Sequence, residues 1–321
     1  MEKVVISVIM SVYNEKLDEL KQAIDSILKQ TFTQFEFIIV LDNPEAVELR
    51  AVLEDYRDID NRISLIFNDV NIGLAASLNK GLTHATGQYI ARMDADDISD
   101  LHRFEVELAS LENNNWDLVS TSCSFIDDTG SIIGEHATMI TNPIYVRRLL
   151  VLENFLVHPS VMGKKSVFEA LSGYQEQLPA SEDYDLWLRV IMSDFQIGTI
   201  NQSLIKYRVR DNSMTQSDLY KTFLVSRFIK EQRLKGNLIV SANYVQALGI
   251  FLKDNQYYNL KKRAQFNEGV HIFSQAKRER KISLILSAVF NWVTCKQLRF
   301  YQKSRSQYNH EYQKLLILDR E

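Results

Sequence analysis

Hydrophobic positions in the first half of the chain fall into short unbroken runs: Val4–Val12, Phe35–Leu41, Ile63–Phe67 and Gln88–Met93. Runs of that length, apolar throughout rather than alternating, predict strands buried on both faces, as in a parallel sheet. Between them lie helical patterns near Lys16–Lys29, Glu45–Tyr56 and Leu74–Ala85, the last broken by Thr86-Gly87. This strand–helix alternation predicts a doubly wound, mostly parallel α/β sheet with ligands at the strands' carboxyl ends. Further on, Asp127-Asp128-Thr129-Gly130 reads as the turn of a hairpin between Cys123–Ile126 and Ser131–Gly134. Asp183–Ile191 reads as a helix, and Phe195–Ile200 and Leu204–Val209 as two strands. From about Tyr220 the pattern is helical and basic.

Charge divides the chain more sharply than its net value of −4 suggests. Residues 221–321 carry 19 Lys and Arg against 7 Asp and Glu, whereas residues 1–220 carry 18 against 34. An acidic first part suits metal-assisted work on phosphates, and a basic second part seeks an anionic surface. Cys123 and Cys295 lie far apart without ligand spacing and fit a reducing compartment as buried small hydrophobes. Met1-Glu2-Lys3 leads straight into a strand with no cleavage pattern, so a cytoplasmic location is expected.

The chemistry concentrates where Tyr89-Ile90-Ala91-Arg92-Met93 runs into Asp94-Ala95-Asp96-Asp97. If the extended geometry persists, Asp94 and Asp96 share a face. Two such carboxylates repel unless a cation lies between them, and their hardness suits Mg²⁺ or Mn²⁺ shared with substrate phosphates. Asp97 or Ser99 also reads as a cap for a helix near Leu101–Leu111. An EF-hand fails, since Ile98 and Ser99 stand where an oxygen ligand and Gly are required. No Gly-x-Gly-x-x-Gly follows the first strand and no Gly-Lys-Ser/Thr loop occurs, which sets aside a dinucleotide fold and a P-loop NTPase. An Asp94-nucleophile phosphohydrolase stays open as a rival.

The first strand ends in Met10-Ser11-Val12-Tyr13-Asn14-Glu15 and the second in Leu41-Asp42-Asn43-Pro44, on the side of Asp94 and Asp96. An aromatic ring and a carboxylate there suit a pyrimidine, which needs a stacking surface and an acceptor for its ring N–H. Asn14 and Asp42 equally suit turns. Ser181-Glu182-Asp183-Tyr184-Asp185-Leu186-Trp187-Leu188-Arg189 starts a helix with three carboxylates, which either complement its dipole or supply a base for an incoming hydroxyl.

Together Val8–Glu15, Phe35–Asn43, Asn71–Gly81, Tyr89–Asp97, His158–Ser160 and Glu182–Arg189 resemble the family 2 glycosyltransferases of the glycosyltransferase-A fold. Bacterial enzymes that build capsule, exopolysaccharide or O-antigen units are the nearest likeness. The resemblance implies a catalytic domain over residues 1–219 and a helical extension over 220–321. It implies inverting transfer of a hexosyl or N-acetylhexosaminyl group from a UDP-sugar to a hydroxyl of a glycan or polyprenyl-linked acceptor. Asp183 would be the catalytic base, and Ser11, Tyr13, Glu15, Asp42, Asp94 and Arg210 would bind the nucleotide. Asp96, with Asp94, would hold Mn²⁺ or Mg²⁺, and His158, Glu182 and Asp185 would lie on the acceptor side. One departure stands out: Tyr207-Arg208-Val209-Arg210 puts Arg210 where related sequences often carry a metal-approaching His. Arg cannot ligate a cation but forks onto phosphate oxygens. A non-catalytic nucleotide-sugar binder is the third reading.

In the basic part, Ile282–Val293 is an apolar run of about a dozen residues, well short of the roughly 20 that span a bilayer. It reads either as a core helix or as a helix lying among anionic headgroups, with Trp292 at the boundary. The basic balance favours docking through residues 277–305 on an anionic membrane surface, a peripheral place on the inner face of the cell membrane. No nucleic-acid recognition motif accompanies the charge.

Overall fold

The structure, a computed structural model, describes residues 4–210, 218–236 and 242–319. The start of the chain at Met1-Glu2-Lys3 lies outside the described residues. The four apolar runs form β1 (Ile6–Val12), β2 (Phe35–Leu41), β3 (Ile63–Phe67) and β4 (Tyr89–Asp94), joined by α1 (Leu17–Leu28), α2 (Val47–Ile59) and α3 (Leu74–His84). All three pairings among them are parallel, in the spatial order β3-β2-β1-β4. α1 is helical because Leu20, Ala23, Ile24 and Ile27 recur on one face, and that face is fully buried. Gly87 lets the chain enter β4 beside β1, since a Cβ there would sit 2.7 Å from the Ser7 backbone nitrogen.

Beyond β4 the sheet becomes mixed. After the short β5 (Ile98–Ser99) and α4 (Arg103–Asn114) come the hairpin strands β6 (Leu118–Ile126) and β7 (Ile132–His136). Then follow α5 (Pro143–Leu150), a 3-10 turn at His158–Ser160, β8 (Met162–Lys164), α6 (Lys165–Ala170) and α7 (Glu182–Met192). β8 pairs antiparallel with both β4 and β6, bridging the parallel half to the rest. The two strands expected over 195–209 are one, β9 (Ile197–Arg208), paired with β6 through register shifts near Thr121–Cys123. The interruption seen in the sequence at Asn201-Gln202-Ser203 is such an irregularity, not a turn.

The C-terminal part is helical: α8 (Leu219–Leu234), α9 (Ala242–Asp254), α10 (Leu260–Glu279), α11 (Ile282–Thr294) and α12 (Lys296–Leu318). One hydrophobic cluster joins Leu186, Trp187 and Val190 of α7 to Leu224 and Phe228 of α8 and Leu298 of α12. A second cluster fills the other face of the sheet, between β1, β2, β4 and α1.

Candidate active site

Register sets the site's frame. Val12 pairs with Leu41 on one side of β1 and Ser11 with Asp94 on the other, so Asp42, Tyr13 and Asp94 leave neighbouring strand ends. Neighbouring strands lie about 4.8 Å apart, so a base, a ribose and a diphosphate can extend across these ends. Asp42 is buried and held from three sides: Oδ1 accepts from Asn68 Nδ2 (2.8 Å) and Ile72 N (2.9 Å), and Oδ2 from Gly73 N (2.8 Å). Gly73 supplies that N–H with φ +86°, a left-handed conformation that L side chains rarely adopt. A carboxylate has about four lone-pair sites, so one on Oδ2 stays available to a ligand N–H. Tyr13 is half exposed, its ring open to stack, while its backbone N–H donates to Glu15 Oε2 at 2.8 Å.

β4 ends at Asp94, and Ala95-Asp96 turn, so the strand does not carry Asp96 as the simple alternation expects. Turning still crowds the acids together. Burial, and then the charge on Asp94, push Asp96 up to about 7, with Glu15 adding to the rise. Burial likewise raises Glu15, which feels Asp94. Asp97 is fully buried; one oxygen accepts from Arg208 N at 2.8 Å, the other lacks a hydrogen-bond partner, and burial with Asp94 and Asp96 lifts it well above the carboxylate range. That corrects the capping alternative: Asp97 faces β9, Ser99 Oγ accepts from Gln30, and α4 starts at His102 without a side-chain cap.

Arg210 stands at this cluster. Its Nη2 lies 3.0 Å from Asp96 Oδ2 and also pairs with the buried Glu19. Arg208, by contrast, is engaged through all three nitrogens, donating to the Asp96 and Asp127 carbonyls and to Gln22. Among the described residues no three His, Cys, Asp or Glu side chains converge as a complete metal cage. Mg²⁺, however, is commonly held by one or two carboxylates plus substrate phosphates, and the crowded Asp94 and Asp96 supply that donor set. The residues present fit a divalent cation delivered with a diphosphate, with Arg210 as a resident counter-charge.

The second half of the site begins at Ser181, whose φ of 60° is a left-handed turn that a non-glycine residue adopts only at a cost of about 1–3 kcal/mol. It starts α7 with Glu182 and Asp183. Asp183 Oδ2 accepts from Asn154 Nδ2 at 2.8 Å and Oδ1 from Tyr184 N at 2.7 Å. Burial raises its pKa, and these donors with the Arg92 charge hold it back. Burial and then Asp183 push Glu182 up to about 7.

Arg92 links the halves. It shares a face of β4 with Asp94, pairs with it, is 4% exposed, and its Nε and Nη1 have no hydrogen-bond partner. Asp94, Asp97, Glu182 and Asp183 all lie within reach of its charge. Sequence reasoning passed over Arg92, Asn154 and Glu19. A charge inside an otherwise apolar strand is the signal that marks Arg92, whereas Asn154 and Glu19 leave no such trace.

Two acceptor-side assignments look different here. Asp185 is not in the site: it is wholly buried, with Oδ2 accepting from Arg189 Nε (2.8 Å) and Oδ1 from Arg233 Nε (2.8 Å) and Nη2 (2.5 Å). Helical geometry explains the correction, because two residues after Asp183 the side chain points about 200° round the helix, into the packing against α8. His158 is half-buried; its Nε2 meets Tyr174 Oη at 2.9 Å and its ring packs edge-on against Trp187. Burial and the Arg92 charge hold its imidazole well below its ordinary pKa, so it is neutral at pH 7.

Comparisons with known proteins show the family. The profile of "Glycosyl transferase family 2" matches residues 7–172. An uncharacterized glycosyltransferase of Methanocaldococcus jannaschii is 38% identical over 226 residues, covering 70% of this chain and 78% of its own. The O-antigen biosynthesis glycosyltransferase WbnJ of Escherichia coli is 31% identical, over 76% of this chain and 96% of its own. The crystal structure of S. aureus TarS 1-349 in complex with UDP aligns with a TM-score of 0.59 at 17% identity, over 98% of this chain and 91% of that one, a likeness of fold. The fold is that of the glycosyltransferase-A enzymes, and the chain belongs to the family 2 glycosyltransferases.

Proposed function

We propose that the protein transfers a hexosyl or N-acetylhexosaminyl group, with inversion, from a UDP-sugar to a hydroxyl of a glycan or polyprenyl-linked acceptor in bacterial surface polysaccharide synthesis. The observation that carries this reading is the meeting of two carboxylate groups at one buried arginine: Asp94, which pairs with Arg92, and Asp96 after β4, and Glu182 and Asp183 at the start of α7, all within reach of its charge. A phosphohydrolase has no use for the second group. TarS, of the same fold, has been crystallised with UDP and with UDP-GlcNAc, and the relatives include O-antigen and amylovoran biosynthesis enzymes.

Uracil stacks on Tyr13 and gives its ring N–H to the open lone pair of Asp42. Ser11 and Asp94 line the ribose side, with Glu15 beside them. Asp96, with Asp94, would hold Mn²⁺ or Mg²⁺, which would offset charge on the departing diphosphate. Arg210 swings from Asp96 to the phosphates, a short move for a fork already at that carboxylate. Asp183 takes the acceptor's proton as the acceptor oxygen bonds the anomeric carbon, and the bond to the diphosphate breaks with its electrons leaving on UDP. Glu182 and His158 wall the acceptor side.

The test is UDP release from a panel of UDP-sugars with candidate acceptors. Asp183→Asn is expected to lower kcat by about 10²–10⁴ while UDP binding is unchanged, and Asp96→Ala to weaken metal-assisted binding. Transfer by Asp183→Asn at the wild-type rate would remove the base assignment.

A further inference from the structure

α11 packs the wrong way round for a core helix. Its buried residues are small or polar, Ala288 and Asn291, with Leu284 half-buried beside them; Asn291 and Leu298 crowd Gly269 of α10. Most of its larger apolar side chains face out. Ile282, Ile285, Leu286, Val289, Phe290 and Val293 recur at the i, i+3, i+4, i+7, i+8, i+11 spacing of one helix face and are 44–76% exposed. Soluble proteins rarely leave so continuous an apolar stripe uncovered. Trp292, 44% exposed, stands beside it.

The surroundings say what covers the stripe. From residue 280 to 310 the sequence has no Asp or Glu, while Arg280, Lys281, Lys296, Arg299 and Lys303 carry positive charge; Arg305 is paired with Glu153, and Glu268 of α10 lines a groove with Leu286 and Phe290. Glu279 is shared between Lys281 (2.7 Å) and Arg278 (3.8 Å), so the net charge at that end stays positive. An apolar helix face with cations at both ends and an aromatic ring beside it matches a bilayer surface: acyl chains for the stripe, anionic headgroups for the ends. Among the described residues no helix is long and apolar enough to cross a membrane, and 13 residues make a helix of only about 20 Å. We infer that α11 lies in the plane of an anionic membrane, its Ile282–Val293 stripe among the acyl chains. This inference does not rest on the catalytic reading, since it concerns a different face and is read by lipid binding alone.

Flotation of the full chain with vesicles of phosphatidylcholine, alone or with about one third phosphatidylglycerol, tests it. The wild type is expected to float with the anionic vesicles and to be released by salt. Leu286→Glu/Phe290→Glu, which alters only exposed positions, is expected to stay behind with an unchanged Tm. Lys281→Gln/Lys296→Gln is expected to lose about fivefold in partitioning per neutralised site, on the anionic vesicles only. Flotation of Leu286→Glu/Phe290→Glu equal to the wild type would overturn the inference. So would a wild type that ignores lipid but forms a dimer abolished by the same substitutions, which would assign the stripe to a second copy of the chain.

Discussion

Asp183 can serve as a base only after losing its proton, and its surroundings set when that happens. Burial raises its pKa, while the Asn154 amide and the Arg92 charge stabilise the carboxylate. Removing either stabiliser raises the pKa further. Activity rises with pH as the base ionises, so Asn154→Ala and Arg92→Met are each predicted to move the acid limb of the kcat–pH profile to higher pH. Arg92→Lys, which keeps the charge, should restore most of the profile. A profile unmoved by both Asn154→Ala and Arg92→Met would show that these contacts are only structural. Arg210 carries a second prediction. Arg210→His replaces a counter-charge at Asp96 with a ligand, and is expected to widen the gap between UDP affinity with and without Mn²⁺. Asp42, Asp94, Asp96 and Asp183 stand out as candidates in the sequence because carboxylates at strand and helix ends are chemically conspicuous. Arg92 left one signal, a charge inside an apolar run, whereas Asn154 comes from a loop whose approach to α7 only the tertiary structure reveals.

At the scale of elements, α7 joins the catalytic and helical parts. It presents Asp183 to the site and, from the same turn, sends Asp185 into a fully buried pair with Arg189 and Arg233 of α8. Truncating the shared acid removes the buried carboxylate to which both guanidiniums donate. Asp185→Ala is therefore predicted to cost about 3–5 kcal/mol of stability, read as a lowered Tm and urea midpoint. An unchanged midpoint would place the pair nearer solvent than described. The sequence spacing predicted the first four strands and three helices to within a few residues, because each has a full-length hydrophobic run. β8 escaped notice because three residues, Met162–Lys164, are too short to show a period. β9 was read as two strands because its irregularity carries the polar residues of a turn.

On the scale of the whole molecule, the acidic and basic parts meet different chemistry. The acidic part holds the strand ends where Asp42, Asp96 and Asp183 collect, and the basic part carries the outward stripe of α11. Charge asymmetry was plain in the sequence. Which way α11 faced was not, because periodicity shows that a stripe exists but not what it packs against. The central claim is that the carboxyl ends of β1, β2 and β4 form a uridine-nucleotide site with the base on a separate element. Calorimetric titration of UDP with Mn²⁺ into the wild type, Asp42→Ala and Asp183→Asn tests it most directly. Saturable binding to the wild type and to Asp183→Asn with the same Kd is expected, and binding at least about tenfold weaker to Asp42→Ala, the loss of one charge-assisted hydrogen bond. No binding of UDP to the wild type, or equal binding to Asp42→Ala, would contradict it.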